Sequence, residues 1–229
     1  MAIQLNKLLS FKKTHISLRR PIWDYAAVQS LISVIRRNKK FQLRKAVAAD
    51  LIYCNIGCGP NIFPNFVNID YFWKPGIDIC WDITKGLPFG DESVEGIFIE
   101  HVLEHFSARA AKIILREFYR ILKKGKIIRV IVPDGQLYAE LYIKSGTDKS
   151  VRFPYAEESD NKTPMLYLND LFYRHEHKMA YDAQTLSKFL SEAGFEDIRK
   201  ECFRHGQDKI LLIDREGRRS DSLYMEAKK

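Results

Sequence analysis

The chain has 229 residues, of which 46% are hydrophobic, 12% aromatic and 29% charged. Such a composition is typical of globular proteins and excludes a wholly disordered or collagen-like chain. Four cysteines are too few for a disulfide scaffold at this length, so a reduced, cytoplasmic setting is expected. The longest uncharged stretch, residues 51–69, contains two glycines and two prolines, which excludes a membrane-spanning helix there.

The net charge of +8 is concentrated near the N-terminus, because residues 1–50 contain eleven basic and only two acidic residues. A helix is predicted to begin at Pro21 and to end at the basic cluster 36–40. Its apolar stripe is expected to pack on the next domain. Residues 1–48 therefore form a basic, partly helical extension, which is either a solvated face or a contact with an anionic membrane surface or a phosphorylated carrier. The residues of the stripe are Ala27, Val28, Leu31, Ile32, Val34 and Ile35.

Residues 49–229 read as one α/β domain. A helical stripe predicts a helix over 107–123, closed by Lys123, Lys124 and Gly125. Short apolar runs predict strands that alternate with helices, which indicates a parallel sheet covered by helices. These strands are predicted at 51–56, 66–69, 77–81, 94–99 and 127–132.

The C-terminal part is less regular at first and then periodic again. Residues 135–180 are interpreted as a lid or acceptor-binding region, with one short helix over 137–143 and a polar loop over 150–170. Asp182 is expected to cap a helix that Gly194 ends. The last two strands, 195–203 and 222–227, are expected to pair antiparallel.

Glycines and acidic residues follow the first three strands. Gly57 and Gly59 come directly after the first strand, and glycines there let a backbone approach a ligand closely. Asp70 ends the second strand, where a carboxylate can accept both hydroxyls of a ribose. Asp82 follows the third strand and can accept from an exocyclic amine. The alternative is that both acids only cap turns.

Several phrases resemble a known family when they are taken together. They are Asn55-Ile56-Gly57-Cys58-Gly59, Phe66-Val67-Asn68-Ile69-Asp70, Gly86-Leu87-Pro88-Phe89, Glu100-His101-Val102-Leu103-Glu104-His105-Phe106 and Val132-Pro133-Asp134. They resemble class I methyltransferases of type 11, which use S-adenosylmethionine (SAM). The resemblance extends over most of the chain after residue 50 and is strongest to a subset linked to polysaccharide and glycolipid assembly.

The resemblance implies a doubly wound, Rossmann-like α/β fold with a seven-stranded, mostly parallel sheet and helices on both faces. It implies SAM as the cofactor. The short span from Gly59 to Asp70 leaves little room for the usual first helix, and Asn61 stands where many members have a third glycine. The implied cofactor-binding residues are Asn55, Gly57, Cys58 and Gly59 in the loop, Asp70 at the ribose, Asp82 and Ile83 at the adenine, and Glu100 beside the methyl donor.

Two histidines follow the fourth strand, at the edge where ligands bind in open α/β folds. His101 is the first candidate for a general base that takes the proton of an acceptor hydroxyl, because the ordinary pKa of histidine lies near neutrality. His105, one turn further along, is the second catalytic candidate. The alternative is that both only pack the start of the following helix.

The same phrase also matches H-x-x-E-H, in which His101 and His105 on a helix share a zinc ion and Glu104 acts as a base. His175 and His177 with Glu176 offer a second place for an ion. Because the motif follows a parallel strand and a glycine loop, the methyltransferase interpretation is favoured and no metal is expected.

The predicted function is SAM-dependent O-methylation of a sugar, a glycan or glycolipid precursor, or a small metabolite. The basic extension motivates a nucleic-acid methyltransferase as one alternative, but no base-flipping phrase accompanies it. A non-catalytic partner in a glycosyltransferase assembly is the other. Aromatic residues that either line the acceptor pocket or pack in the core are Phe153, Tyr155, Tyr167, Phe172 and Tyr173.

Overall fold

A seven-stranded sheet organises the part of the chain that the computed structural model describes, residues 26–36, 52–156 and 162–229. The strand order is β3-β2-β1-β4-β5-β7-β6, and only β7 runs antiparallel to its neighbours. This order confirms the doubly wound, mostly parallel sheet. The strands are β1 (Tyr53–Ile56), β2 (Val67–Asp70), β3 (Ile79–Cys80), β4 (Val94–Glu100), β5 (Leu122–Pro133), β6 (Glu196–Glu201) and β7 (Ser222–Lys228).

Helices lie before the sheet and between its strands. The α-helices of the described residues are α1 (Ala26–Arg36), α2 (Ala108–Ile121), α3 (Gly135–Ser145), α4 (Pro164–Tyr173) and α5 (Ala183–Ala193). Short 3-10 helices lie at Ile83–Lys85, Leu103–His105, Arg174–Glu176, Lys209–Leu211 and Glu216–Arg218. As the short spacing predicts, the described chain has no helix between β1 and β2.

The main core lies between one face of the sheet and helices α2 and α5. The apolar stripe of α2 is completely buried, from Ala111 to Ile121. In α5, Leu186 and Leu190 are buried against the same face. Asp182 caps α5 through Thr185 N at 2.7 Å, and Gly194 ends it in the left-handed conformation, as predicted.

The end of α2 differs from the sequence-based expectation. The helix ends at Ile121, and Lys123, Lys124 and Gly125 belong to β5 rather than to a helix terminus. Leu122 is completely buried and pairs with Val94, so the chain enters the sheet without a glycine stop.

The segment predicted as a loop over 150–170 contains helix α4. Pro154, Pro164 and the lack of a helical period favour a loop there, but Pro164 occupies the first turn of α4, where proline is tolerated. Tyr167 and Leu171 of this helix form a small core with Tyr138 and Phe153. The rings of Phe153 and Tyr167 stack with centroids 4.7 Å apart, which holds α4 to the preceding loop within the lid.

The other face of the sheet is covered mainly by the β6–β7 connection, residues 202–221. Phe203 and Leu211 of this connection pack against Phe98 and Tyr224 of the sheet. Arg129 of β5 is 0% exposed on this face. Its guanidinium therefore lies under the connection, where a buried charge needs partners.

Helix α1 contacts the domain through a different face from the predicted stripe. Ser33 is buried, and its Oγ accepts a hydrogen bond from Trp73 N at 2.7 Å. Leu31, Val34 and Ile35 are instead 64%, 62% and 66% exposed. The contact is thus polar, and the predicted start at Pro21 and the residues 37–48 lie outside the described residues. None of the described helices has the length and apolar character needed to cross a membrane.

Candidate active site

A cleft with a volume of about 390 Å³ lies at the carboxyl edge of the parallel strands. Its floor is the loop after β1 and the segment after β4. The lid contributes α4 and the residues up to His177, and the β6–β7 connection contributes the opposite wall. Of the predicted site residues, Gly57, Cys58, Gly59, Glu100, His101 and His105 line this cleft.

The two glycines of the β1 loop are required for different reasons. Gly57 has φ +66°, and a Cβ there would lie 2.2 Å from a methyl group of Val102. Gly59 has φ +54° with open space where a Cβ would stand, so its backbone borders the cleft directly. Both positions are in the left-handed region, which favours glycine.

Asp70 is fixed at the tip of β2 by two backbone donors. Its Oδ2 accepts from Gly59 N at 2.8 Å, and its Oδ1 accepts from Phe72 N at 2.9 Å. An ionised carboxylate offers about four acceptor positions, so both oxygens can accept a further hydrogen bond. The loop after β1 and the acid at the end of β2 are thus joined by a hydrogen bond at the strand tips.

Asn55 and Cys58, the other two residues predicted to contact the cofactor from the β1 loop, are both buried. Asn55 is buried, and its Nδ2 donates to Asn61 O at 2.9 Å and to Asn68 Oδ1 at 3.0 Å. Burial raises the pKa of Cys58 to about 12, so this thiol is protonated and inert at neutral pH. All four cysteines are free thiols.

The two predicted adenine contacts, Asp82 and Ile83, lie away from the cleft. Asp82 caps a 3-10 helix, and its Oδ1 accepts from Thr84 N at 3.1 Å and from Thr84 Oγ1 at 2.6 Å. Ile83 is buried in the main core. Neither residue is among the described residues that line the cleft, and their contact with a cofactor stays a prediction.

Glu100 is held by Arg215 of the β6–β7 connection. Its Oε1 accepts from Arg215 N at 3.1 Å, and its Oε2 is ion-paired with Arg215 Nε. Burial raises the pKa of Glu100, and the contacts with Arg215 act in the opposite direction. Glu100 therefore fixes this connection at the cleft.

His101 is enclosed rather than poised as a base. Its Nε2 lies 2.8 Å from Ser222 Oγ, and its Nδ1 lies 3.4 Å from Glu104 Oε1. Burial lowers the pKa of His101 to about 2, so the ring is neutral and its approach to Glu104 is not an ion pair. The ring is thus a poor proton acceptor, and it suits a positioning role better than that of a base.

The helix that the H-x-x-E-H pattern requires is not formed over residues 101–105. His101 has φ +54°, outside helical geometry, and only Leu103–His105 form a 3-10 turn.

Glu104 lines the cleft and is 1% exposed. Neither of its carboxylate oxygens has a hydrogen-bond partner in the described parts of the chain. Burial raises the pKa of Glu104 to about 8. A buried carboxylate of this kind is costly for the fold and is a mark of functional sites.

Two histidines complete a cluster beside Glu104. The rings of His105 and His177 lie 5.0 Å apart in an edge-to-face arrangement. One ligand atom from each of Glu104, His105 and His177 lies within 4.8 Å of the other two. Burial lowers the pKa of His105, and the neighbouring His177 lowers it further. His175 and Glu176 are exposed and stand outside this cluster.

Sequence reasoning missed the wall formed by the β6–β7 connection. Arg215, Arg218 and Asp221 line the cleft from a segment without hydrophobic periodicity, so no pattern could have indicated them. Tyr155, one of the aromatic residues predicted for the acceptor pocket or the core, lines the cleft, and its hydroxyl donates to Asp221 Oδ1 at 2.9 Å. Of the other predicted aromatic residues, Tyr167 lines the cleft, Phe153 packs behind it, and Phe172 and Tyr173 are exposed.

Comparison with known families is consistent with this geometry. Residues 68–130 match the Methyltransf_11 family, described as a methyltransferase domain. This match supports a class I, SAM-dependent methyltransferase. The matched residues run from β2 into β5 and include Asp70 and the segment 100–105. No curated protein matches the chain significantly.

Several solved structures resemble this chain at low sequence identity. A SAM-dependent methyltransferase from Archaeoglobus fulgidus is 17% identical, with a TM-score of 0.47 over 88% of this chain and 94% of the other. One from Thermotoga maritima is 18% identical, with a TM-score of 0.44 over 87% and 92%. Human N-acetylserotonin methyltransferase in complex with SAM is 16% identical, with a TM-score of 0.45 over 91% and 57%. At these identities and TM-scores the likenesses assign no substrate.

Proposed function

We propose that this chain transfers the methyl group of SAM to an oxygen atom of a sugar, a glycan or glycolipid precursor, or a small metabolite. The observation that carries the proposal is the continuity of the cleft. Gly59 lines the same cavity as Glu104, His105 and His177, and its N donates to the Asp70 carboxylate, which stands behind the described lining residues. Groups suited to a nucleoside and groups suited to an acceptor oxygen therefore share one site.

The residues present fit SAM. The carboxylate of Asp70 has acceptor capacity for two ribose hydroxyls while it holds the loop. The open space at Gly59 admits a ligand against the backbone. When bound, SAM supplies an electrophilic methyl carbon on a cationic sulfonium, and the carboxylate of Glu100 in the cleft favours a cation on charge grounds.

The acceptor oxygen needs a group that takes its proton, because a neutral hydroxyl is a weak nucleophile. The cluster at Glu104 is better suited to this role than His101, whose two ring nitrogens already face Ser222 and Glu104. A carboxylate with a pKa raised to about 8 is a far stronger base than an ordinary one. Positioning of the acceptor by the cleft walls supplies the rest of the rate enhancement.

The lid favours a hydroxyl-rich acceptor over a purely apolar one. Tyr138, Tyr155 and Tyr167 line the cleft beside Arg215 and Arg218. Aromatic rings with polar tips offer both stacking surface and hydrogen bonds.

A panel of sugars, glycolipid precursors, RNA and DNA, each incubated with the protein and labelled SAM, separates this proposal from the nucleic-acid alternative. Binding of SAM without turnover on any of them favours the non-catalytic alternative.

Replacement of Asp70 tests the cofactor site. Asp70→Ala and Asp70→Asn should weaken SAM binding by about 1.5–3 kcal/mol, roughly 10- to 150-fold, because the ribose hydroxyls lose a charged acceptor. Calorimetric titration with SAM and with its demethylated product measures the effect. Glu196→Ala, an exposed acid on β6, is the matched control and should bind as the wild type does. Equal affinity in all four proteins would remove Asp70 from the site.

The basic extension is proposed to bind an anionic membrane surface or a phosphorylated carrier. Deletion of residues 1–48 should abolish sedimentation with anionic vesicles while SAM affinity is retained. Binding of the full chain should weaken steeply between about 0.1 M and 1 M salt, where the screening length falls from about 10 Å to about 3 Å. Co-sedimentation that is equal for the full and the truncated chain would leave the extension as a packing element.

A further inference from the structure

We propose that Glu104, His105 and His177 form a binding site for a divalent transition-metal ion, with Zn²⁺ as the preferred ion. Their ligand atoms all lie within 4.8 Å of one another at the cleft. Bonds of about 2.0–2.2 Å to one tetrahedral ion place neighbouring ligand atoms about 3.3–3.6 Å apart. Small rotations of the three side chains are enough to close that difference.

The unpartnered carboxylate of Glu104 is the first argument for an ion. Both oxygens are buried without a hydrogen-bond partner among residues 26–36, 52–156 and 162–229. His101 Nδ1 lies 3.4 Å from Oε1 but makes no hydrogen bond with it. A bound cation would satisfy both oxygens, and it would do so at a cleft that admits ions from solvent.

The tautomer of His177 is the second argument. Its Nδ1 lies 2.8 Å from Leu171 O, and because a carbonyl only accepts, Nδ1 carries the proton. The other ring nitrogen, Nε2, is left with the lone pair that a metal requires. Metal-bound histidines typically donate their second nitrogen to a carbonyl or carboxylate in this way.

The backbone holds the two ligand segments together. Glu104 O accepts from Lys178 N at 2.8 Å and from Met179 N at 3.2 Å, so the residue after His177 is tied to the residue before His105. The hydroxyl of Tyr181 donates to Leu103 O at 3.4 Å and adds to the same connection. The three ligands are therefore preorganised before any ion binds.

Two imidazoles and one carboxylate suit Zn²⁺ and also Mn²⁺, Fe²⁺, Co²⁺ and Ni²⁺. This set differs from the H-x-x-E-H pattern, because His101 is not a ligand and His177 comes from the lid. Three protein ligands leave one position open toward the cleft. That an acceptor oxygen occupies the open position rests on the proposed function, whereas binding of the ion does not.

Metal binding is tested on the full chain without a tag, after dialysis against a chelator. Titration calorimetry with Zn²⁺, and visible absorption with Co²⁺, should show one ion per chain with tetrahedral coordination. Glu104→Gln and His177→Ala should each weaken Zn²⁺ binding at least about 100-fold, beyond the effect of losing an outer-shell group. His175→Asn, a change in the neighbouring exposed imidazole, is the matched control and should bind as the wild type does.

Binding that is absent in the wild type, or equal in all four proteins, would overturn the site. Thermal unfolding of each variant without metal shows whether it is folded, and Glu104→Gln should be at least as stable as the wild type because it removes a buried carboxylate. SAM binding is measured on the same samples. Metal binding without SAM binding would refute the proposed function alone, and SAM binding without metal binding would refute the site alone.

Discussion

Replacement of Arg129 by methionine should lower the free energy of unfolding by about 3–5 kcal/mol, the largest change in stability that we expect from a single substitution. Arg129 Nε donates to Asp214 Oδ1 at 2.7 Å, and its Nη1 donates to Glu226 Oε1 at 2.9 Å. Both acids are 0% exposed, so methionine would leave two buried carboxylates without their cation. The carbonyls of Cys202 and His205 would also lose a donor.

Denaturant unfolding followed by circular dichroism measures this loss. The matched control is Arg199→Gln, which removes an exposed arginine paired with Asp197 at 2.8 Å and should leave the unfolding midpoint almost unchanged, because solvent screens such a pair. If both variants unfold at the same denaturant concentration, the buried network does not hold the β6–β7 connection in place.

Replacement of Glu104 by glutamine should lower kcat for methyl transfer by roughly 10²–10⁴-fold, because an amide can neither take the proton of an acceptor hydroxyl nor bind an ion as a carboxylate does. The two side chains have almost the same shape, and the position is buried without partners, so the fold should be retained. SAM affinity should change little, since Asp70 and the glycine loop are untouched. Steady-state kinetics with the acceptor found by screening gives kcat, and calorimetry gives the affinity for SAM.

His101→Ala is the informative comparison for Glu104→Gln. The sequence places the general base at His101, whereas the buried ring between Ser222 and Glu104 indicates a positioning role. We therefore expect a smaller fall in kcat for His101→Ala than for Glu104→Gln. A larger fall for His101→Ala would restore the histidine as the base, and unchanged turnover in both variants would leave catalysis to proximity alone.

The sequence is sufficient for the parallel strands β1 to β5 because each contains a short apolar run that ends at or near a glycine, an acidic residue or a proline, whereas β6 is charged and mostly exposed. It was also sufficient to place Gly59 and Asp70 at the ends of neighbouring strands, since parallel strands bring their carboxyl ends to one edge, but not to predict the hydrogen bond between them. It failed at α4, because Pro164 at a first turn and Pro154 in a loop look alike in a sequence. It failed at Leu122, where burial against Val94 rather than a glycine stop ends the helix.

The cluster at Glu104 shows why the site was only partly predictable. His105 and Glu104 belong to one phrase, but the residue that meets them, His177, lies more than seventy positions later. No local spacing relates the two segments, and the lid over 135–180 brings them together through backbone contacts. Residue type and strand order predict which edge of a sheet is functional, whereas pairing across a lid depends on tertiary packing.

The β6–β7 connection contacts the sheet on one side and the cleft on the other. One face shields Phe98 and Tyr224 of the sheet from water, and the other brings Arg215 to Glu100 at the cleft. Detachment of this segment would thus hydrate apolar side chains and remove a wall of the cleft in the same event. Local unfolding of the connection and loss of the binding surface are therefore one cooperative transition, so any ligand that contacts Arg215 also protects the far side of the sheet.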